Sequence, residues 1–128
     1  MISGFYAAVF AFIQIFLTLK IVKLRWSEKV SLGDGGHDEL ARRIRGHGNF
    51  TKTVPMVLIL MLVAELSGSP FWCLHVLGLL MVGGRVVHYI GMIRGTSYRV
   101  YGMAMTILAF ILGALLCVWL ALPILLAA

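Results

Sequence analysis

The chain has 128 residues, of which 61% are hydrophobic and only 12% are charged. Because about 20 apolar residues are needed to cross a bilayer, this length allows four spans in a single domain, residues 1–128, and excludes a second, soluble domain. The formal net charge of +6 lies mostly against the ends of apolar runs. We therefore predict contact with anionic lipid headgroups, room for an anionic ligand, and no nucleic-acid partner.

The first apolar run, Ile2 to Val22, predicts a membrane helix. It lacks a basic segment ahead of the apolar residues and a convincing small-residue cleavage site before Lys20, so we interpret it as retained rather than as a cleaved signal peptide. The connection that follows contains a flexible, turn-prone stretch from Ser31 to Gly36.

A polar helix is predicted to begin near Asp38 and to run into the second span, Asn49 to Leu66. Pro55 removes a backbone hydrogen bond inside that span and should bend it unless neighbouring helices compensate. One face carries polar residues spaced three or four apart, namely Arg42, Arg45, Asn49 and Lys52. These polar residues continue below the expected membrane interface into apolar sequence, which favours a cavity lined by polar side chains.

The third span, Phe71 to Ile93, contains Arg85 and His88 one helical turn apart. Ionisable groups inside a span are costly and face a protein interior or an aqueous cavity, so we predict that this pair contacts a polar ligand. The fourth span is Val100 to Leu122. Continuous apolar runs without period-two alternation favour helices over barrel strands, which predicts an all-α, integral membrane four-helix bundle.

The basic residues predict the orientation of the spans. The second connection, Ser67 to Pro70, has none, whereas the third holds Arg94 and Arg99. The first connection and its flanks hold all the others except Arg85, namely Lys20, Lys23, Arg25, Lys29, Arg42, Arg43, Arg45 and Lys52. Basic connections stay in the cytoplasm, so both termini are predicted to face the outside.

Other polar and small residues have structural interpretations. Glu65, at the outer end of span two, is predicted to hydrogen-bond between helices, and His47 to bond across a connection rather than to a ligand. Cys73 and Cys117 are predicted to be free thiols, although a disulfide between them is conceivable. Close helix packing is predicted at Gly78, Gly83, Gly84, Gly91, Gly102 and Gly113. Metal binding is not predicted, because the four histidines show no clustered ligand spacing.

Several motifs resemble those of one family. The segment Arg45-Gly-His47-Gly-Asn49-Phe50, followed by Val54-Pro55 and by Glu65-Leu-Ser-Gly68, resembles the second helix of bacterial MAPEG members, the membrane-associated proteins in eicosanoid and glutathione metabolism. The segments Arg85-Val-Val-His88-Tyr89 with Gly91, and Arg99-Val-Tyr-Gly102, resemble its third and fourth helices. The resemblance spans nearly the whole chain in matching order.

The resemblance implies a homotrimer in the bacterial inner membrane that binds glutathione in clefts between subunits on the cytoplasmic side. The implied ligand-binding residues are Lys23, Arg25, Arg45, Asn49, Arg85 and His88. Arg99 matches the arginine that stabilises the thiolate, since a fixed cation raises the nucleophilic fraction of a thiol. The implied reaction is attack of this thiolate on a lipophilic electrophile, or reduction of a lipid hydroperoxide, that arrives through the bilayer.

The sequence departs from the family pattern at three positions. Lys52 stands where the family has a glutamate that accepts the amino group of glutathione. Either the tripeptide binds differently, or Lys52 takes a carboxylate, or the ligand is not glutathione. Met92 replaces a tyrosine found in several eukaryotic members, and Gly48 an arginine found in some.

Three functions remain open at this point. The first is a glutathione-dependent transferase or peroxidase. The second, favoured by the departures at Lys52 and Met92, is a non-catalytic subunit or lipid-binding scaffold whose apolar outer face contacts another membrane protein. The third is a small exporter, which ranks last because Ile2 to Leu19 contains no acidic residue for coupling to a cation.

Overall fold

The computed structural model describes residues 1–127, which form four sequentially antiparallel helices. These are α1 (Ile2–Glu28), α2 (Asp38–Leu66), α3 (Phe71–Arg94) and α4 (Tyr98–Ala127). Each is long and apolar enough to cross a membrane, and residues 1–127 contain no strand. The predicted all-α, four-helix membrane class is therefore confirmed. The polar helix begins at Asp38, as predicted, and continues through Pro55 without interruption.

Apolar side chains occupy both the interior and the outer surface of the bundle. The core contains Tyr6, Phe10, Phe50, Val57, Met61, Leu74, Leu77 and Met81. The outer surface carries large exposed hydrophobics along α1 and α4, including Phe12 and Trp119. Exposure of such a continuous apolar surface to water would be unfavourable, so this surface indicates a lipid environment. Apart from Arg85, the lysines and arginines lie toward one end of the bundle, where α1 and α3 end and α2 and α4 begin. We call this the basic end.

Helices α3 and α4 pack backbone against backbone near the basic end. A Cβ added at Gly102 would lie 2.6 Å from the Gly84 carbonyl oxygen and 2.6 Å from the His88 Cα atom. A Cβ added at Gly91 would overlap the backbone nitrogen of Arg99. Only glycine permits this approach, so the predicted close packing is confirmed at these positions. The contact fixes the start of α4, and with it Arg99, beside the last turns of α3.

Glu65 joins the end of α2 to the start of α1. Its Oε1 accepts a hydrogen bond from the Ile2 backbone N–H at 2.5 Å. Its Oε2 accepts from the Ser3 backbone N–H at 2.9 Å and from the Ser3 hydroxyl. The first N–H groups of a helix have no partner within the helix, and a negative charge is favoured at that end. The predicted interhelical role of Glu65 is confirmed, and it takes the form of a cap.

Replacing Glu65 with glutamine should lower the Tm of the detergent-solubilised protein by a few degrees. Glutamine offers one acceptor oxygen in place of two and removes the charge at the α1 N-terminus. Thermal unfolding measures the effect, with Glu28→Gln as the matched control, because Glu28 is an exposed carboxylate that pairs only with His37. Equal Tm values for the two variants would contradict the capping role.

Candidate functional site

Arg85 and His88 lie inside the bundle, with 3% and 7% of their surfaces exposed. The Arg85 guanidinium donates from Nη1 to the Thr106 hydroxyl at 3.2 Å and, more weakly, to the Thr53 hydroxyl at 3.4 Å. Its Nη2 contacts Nδ1 of His88 at 3.0 Å, and its Nε has no hydrogen-bond partner. None of the ion pairs within residues 1–127 involves Arg85. The bundle therefore holds a buried cation against neutral groups alone, which is unusual and costly.

The contact with Arg85 fixes the tautomer of His88. A guanidinium has only donors, so Nδ1 of His88 must act as the acceptor. The ring is then neutral and carries its proton on Nε2. His88 thus presents an N–H donor.

A cavity of about 230 Å³ lies between α1, α2 and α3. Apolar side chains form most of its wall, including Leu17 and Phe50, and Arg85 and His88 also contribute to it. Phe16 and Val86, which line it from α1 and α3, are each 47% exposed. We call this space the lateral cavity, because its exposed edge faces the side of the bundle.

A second arrangement of polar groups lies where α2 meets α4. Asn49 Nδ2 lies 3.9 Å from the Met103 sulfur. Arg45 precedes Asn49 by one helical turn and Arg99 precedes Met103 by one turn, and both helices begin at the basic end. The two arginines are therefore at similar depth on neighbouring helices. Lys52 follows Asn49 by less than one turn. We call Arg45, Asn49, Lys52 and Arg99 the basic cluster.

The cations of the basic cluster have no acidic partners in the part of the chain that the structure describes. Arg45, Lys52 and Arg99 are exposed, and the ion pairs within residues 1–127 engage none of them. Asn49 lies among them with its Oδ1 buried and without a hydrogen-bond partner. Buried polar atoms in proteins are normally paired. The cluster therefore combines uncompensated positive charge with an unfilled hydrogen-bond acceptor.

The structure brings some predicted residues together and leaves others apart. Arg85 reaches Thr53, the residue after Lys52, and the His88 backbone packs against Gly102, the residue before Met103, so Arg85 and His88 lie at the depth of the basic cluster. Lys23 is exposed on α1, and Arg25 donates to the Gly33 carbonyl oxygen at 2.8 Å. Within residues 1–127, α1 does not pack against α4. No hydrogen bond or ion pair within residues 1–127 joins Lys23 or Arg25 to the basic cluster.

His47 has a structural role in this chain. Its Nε2 lies 3.0 Å from Gln14 Nε2 and 3.2 Å from the Thr18 hydroxyl oxygen, so it joins α2 to α1. This geometry agrees with the interpretation that His47 bonds to a neighbouring segment. No group of three or more His, Cys, Asp or Glu side chains that could hold a metal occurs among residues 1–127.

Sequence reasoning missed the two threonines that hold Arg85. Thr53 and Thr106 are both buried, and each also donates to a backbone carbonyl one turn earlier in its own helix. The sequence feature that could have revealed them is a residue with a hydroxyl group inside an otherwise apolar helix. That signal is weak, because a threonine satisfied by its own helix looks the same in sequence.

Comparisons with known proteins agree with this architecture. The family model of the MAPEG family matches residues 3–119. Two relatives, both named inner membrane protein YecN, come from Escherichia coli strain K12 and from Escherichia coli O6:H1 strain CFT073. Each is 36% identical over 120 residues, which cover 93% of this chain and 92% of the relative. Together with the four apolar helices, these matches support an integral inner-membrane protein.

Proposed function

This chain belongs to the MAPEG family, and from that premise we propose that it is a membrane-bound, glutathione-dependent transferase or peroxidase. The observation that carries the proposal is the basic cluster, in which three exposed cations without acidic partners lie within about one helical turn of Asn49 or of its contact Met103, and the Oδ1 of Asn49 has no hydrogen-bond partner. Uncompensated charge of this kind suits a small anionic ligand. Glutathione, with its two carboxylates and a thiol, is such a ligand.

The cations of the basic cluster divide two tasks in this proposal. Arg45 and Lys52 bind carboxylates of the tripeptide, and Arg99 lies near the sulfur, where its charge lowers the pKa of the ligand thiol. Arg85 adds positive potential from the bundle interior, and His88 offers its Nε2–H. Lys23 and Arg25 join the cluster from a second copy of the chain, as a homotrimer would allow. The basic end then faces the cytoplasm, where glutathione is found.

The second substrate in this proposal is a lipophilic molecule that enters from the bilayer. The apolar wall and exposed edge of the lateral cavity suit such a molecule. In a transfer reaction the thiolate sulfur bonds to the electrophilic carbon, and the leaving group or opened ring takes the electron pair. In a peroxidase reaction the sulfur attacks the terminal oxygen, the O–O bond breaks, the lipid leaves as an alcohol, and a second glutathione converts the sulfenic acid to a disulfide and water.

Replacing Arg99 with alanine should weaken glutathione binding by about tenfold or more, the loss expected for one charge-assisted contact worth about 1.4 kcal/mol. Calorimetry on the detergent-solubilised protein measures the affinity. Arg94→Ala is the matched control, because Arg94 is an exposed arginine in the last turn of α3 outside the cluster. Absence of saturable binding to the unmodified protein at millimolar glutathione would contradict the proposal.

The second candidate is a non-catalytic membrane subunit that contacts another membrane protein. The observation that favours it is Met92, which is buried against Gly46 close to the basic cluster and offers no hydrogen-bond donor to a ligand. A subunit of this kind would show no turnover of lipophilic electrophiles or hydroperoxides, and it would copurify in a mild detergent with one stoichiometric partner.

A further inference from the structure

The basic cluster is one-sided in charge, and this property bears on which ligand it accepts. Five acidic residues occur in the chain; Glu39 and Glu65 form ion pairs elsewhere, and Glu28 contacts the His37 ring. The other two, Asp34 and Asp38, lie in the first connection and at the start of α2, before Arg45. The cluster residues are thus three cations and one amide. Within one copy of the chain, such a site attracts carboxylates but has no charged group to receive an ammonium.

Lys52 places positive charge close to the part of the ligand that would contact Asn49. Lys52 lies three positions after Asn49, a rise of about 4.5 Å along α2. A ligand amide bonded to Asn49 Oδ1 therefore keeps its neighbouring substituents within about 8 Å of Lys52, the distance over which charges interact at physiological salt. An ammonium there is repelled by Lys52, whereas an uncharged amide N–H is not. Repulsion of this type is a common basis of specificity.

We infer that the basic cluster selects an N-acylated anionic thiol, one with at least two carboxylates and no free ammonium, over glutathione itself. The inference rests on the proposed function, since it assigns a ligand class to the same site. Acylation converts the ammonium into an amide N–H, which can donate to the unfilled Oδ1 of Asn49. It also raises the net negative charge that faces Arg45, Lys52 and Arg99.

The test compares glutathione with N-acetylglutathione by calorimetry on the unmodified protein, on Lys52→Glu and on Lys20→Glu. Lys20→Glu is the matched charge reversal, because the Lys20 ammonium is exposed on α1 over the Phe16 ring and lies outside the cluster. The unmodified protein and Lys20→Glu should both bind N-acetylglutathione about tenfold more tightly than glutathione, and Lys52→Glu should reverse the order. Equal Tm values would establish that both variants are folded.

Each other result has a defined meaning. Equal affinities for the two thiols, or tighter binding of glutathione, in the unmodified protein would overturn the inference and leave the proposed function standing. An unchanged preference in folded Lys52→Glu would also overturn it, since Lys52 would then not be the selecting group. Failure of both thiols to bind any of the three proteins would overturn the proposed function and the inference together.

Discussion

Replacing Gly102 with alanine should destabilise the bundle by an amount at or above the upper end of the range of about 1–3 kcal/mol that overpacking usually costs. The new Cβ would overlap the backbone nitrogen of His88, and a backbone atom cannot move aside as a flexible side chain can. Helices α3 and α4 would have to separate. The hydrogen bond from Arg85 to Thr106 crosses this same contact, so ligand binding should weaken as well.

Denaturant-induced unfolding in detergent measures this loss. Gly48→Ala is the matched control, because a Cβ at Gly48 would meet no atom within 4 Å. That variant should be unchanged or more stable by about 1 kcal/mol, the helix propensity difference between the two residues. If both variants were equally stable, α3 and α4 would not be in backbone contact.

Replacing Arg85 with methionine should leave the Tm unchanged or raise it, while weakening binding of the anionic thiol at least tenfold. The guanidinium is 3% exposed and has no carboxylate partner within residues 1–127, so the folded state bears the cost of an uncompensated buried charge. Methionine fills a similar volume without that cost. The ligand loses a cation that lies at the depth of its site, next to Thr53. Stability and function should therefore respond in opposite directions.

The same detergent sample serves for both measurements, thermal unfolding and calorimetry. Arg85→Lys retains the charge but loses the planar fork that contacts Thr106 and His88. If the positive charge attracts the ligand, Arg85→Lys should bind it more tightly than Arg85→Met. If the planar guanidinium is required instead, the two variants should bind it equally weakly. A large fall in the Tm of Arg85→Met, with ligand affinity intact, would show that Arg85 is a structural residue.

The sequence was most informative about features that depend on one helix alone. A stripe such as Arg45, Asn49 and Lys52 follows from the helical period alone, and the start of α2 at Asp38 follows from the change in polarity around it. Glu65 was identified as an interhelical residue, but its partners were not, because they are backbone N–H groups of α1, a helix distant in sequence. Backbone partners leave no mark in the sequence.

Contacts between helices account for the rest of the site. The amino-acid sequence by itself determined four apolar helices, their order, the basic end and the family, because each of these depends on composition and on local periodicity. The tertiary structure alone decided that Arg85 is held by Thr53 and Thr106, that Asn49 meets Met103, and that α1, which carries Lys23 and Arg25, does not pack against α4 within residues 1–127. The physical reason is that rotation and spacing of packed helices depend on side-chain fit and backbone approach, which join residues far apart in the chain.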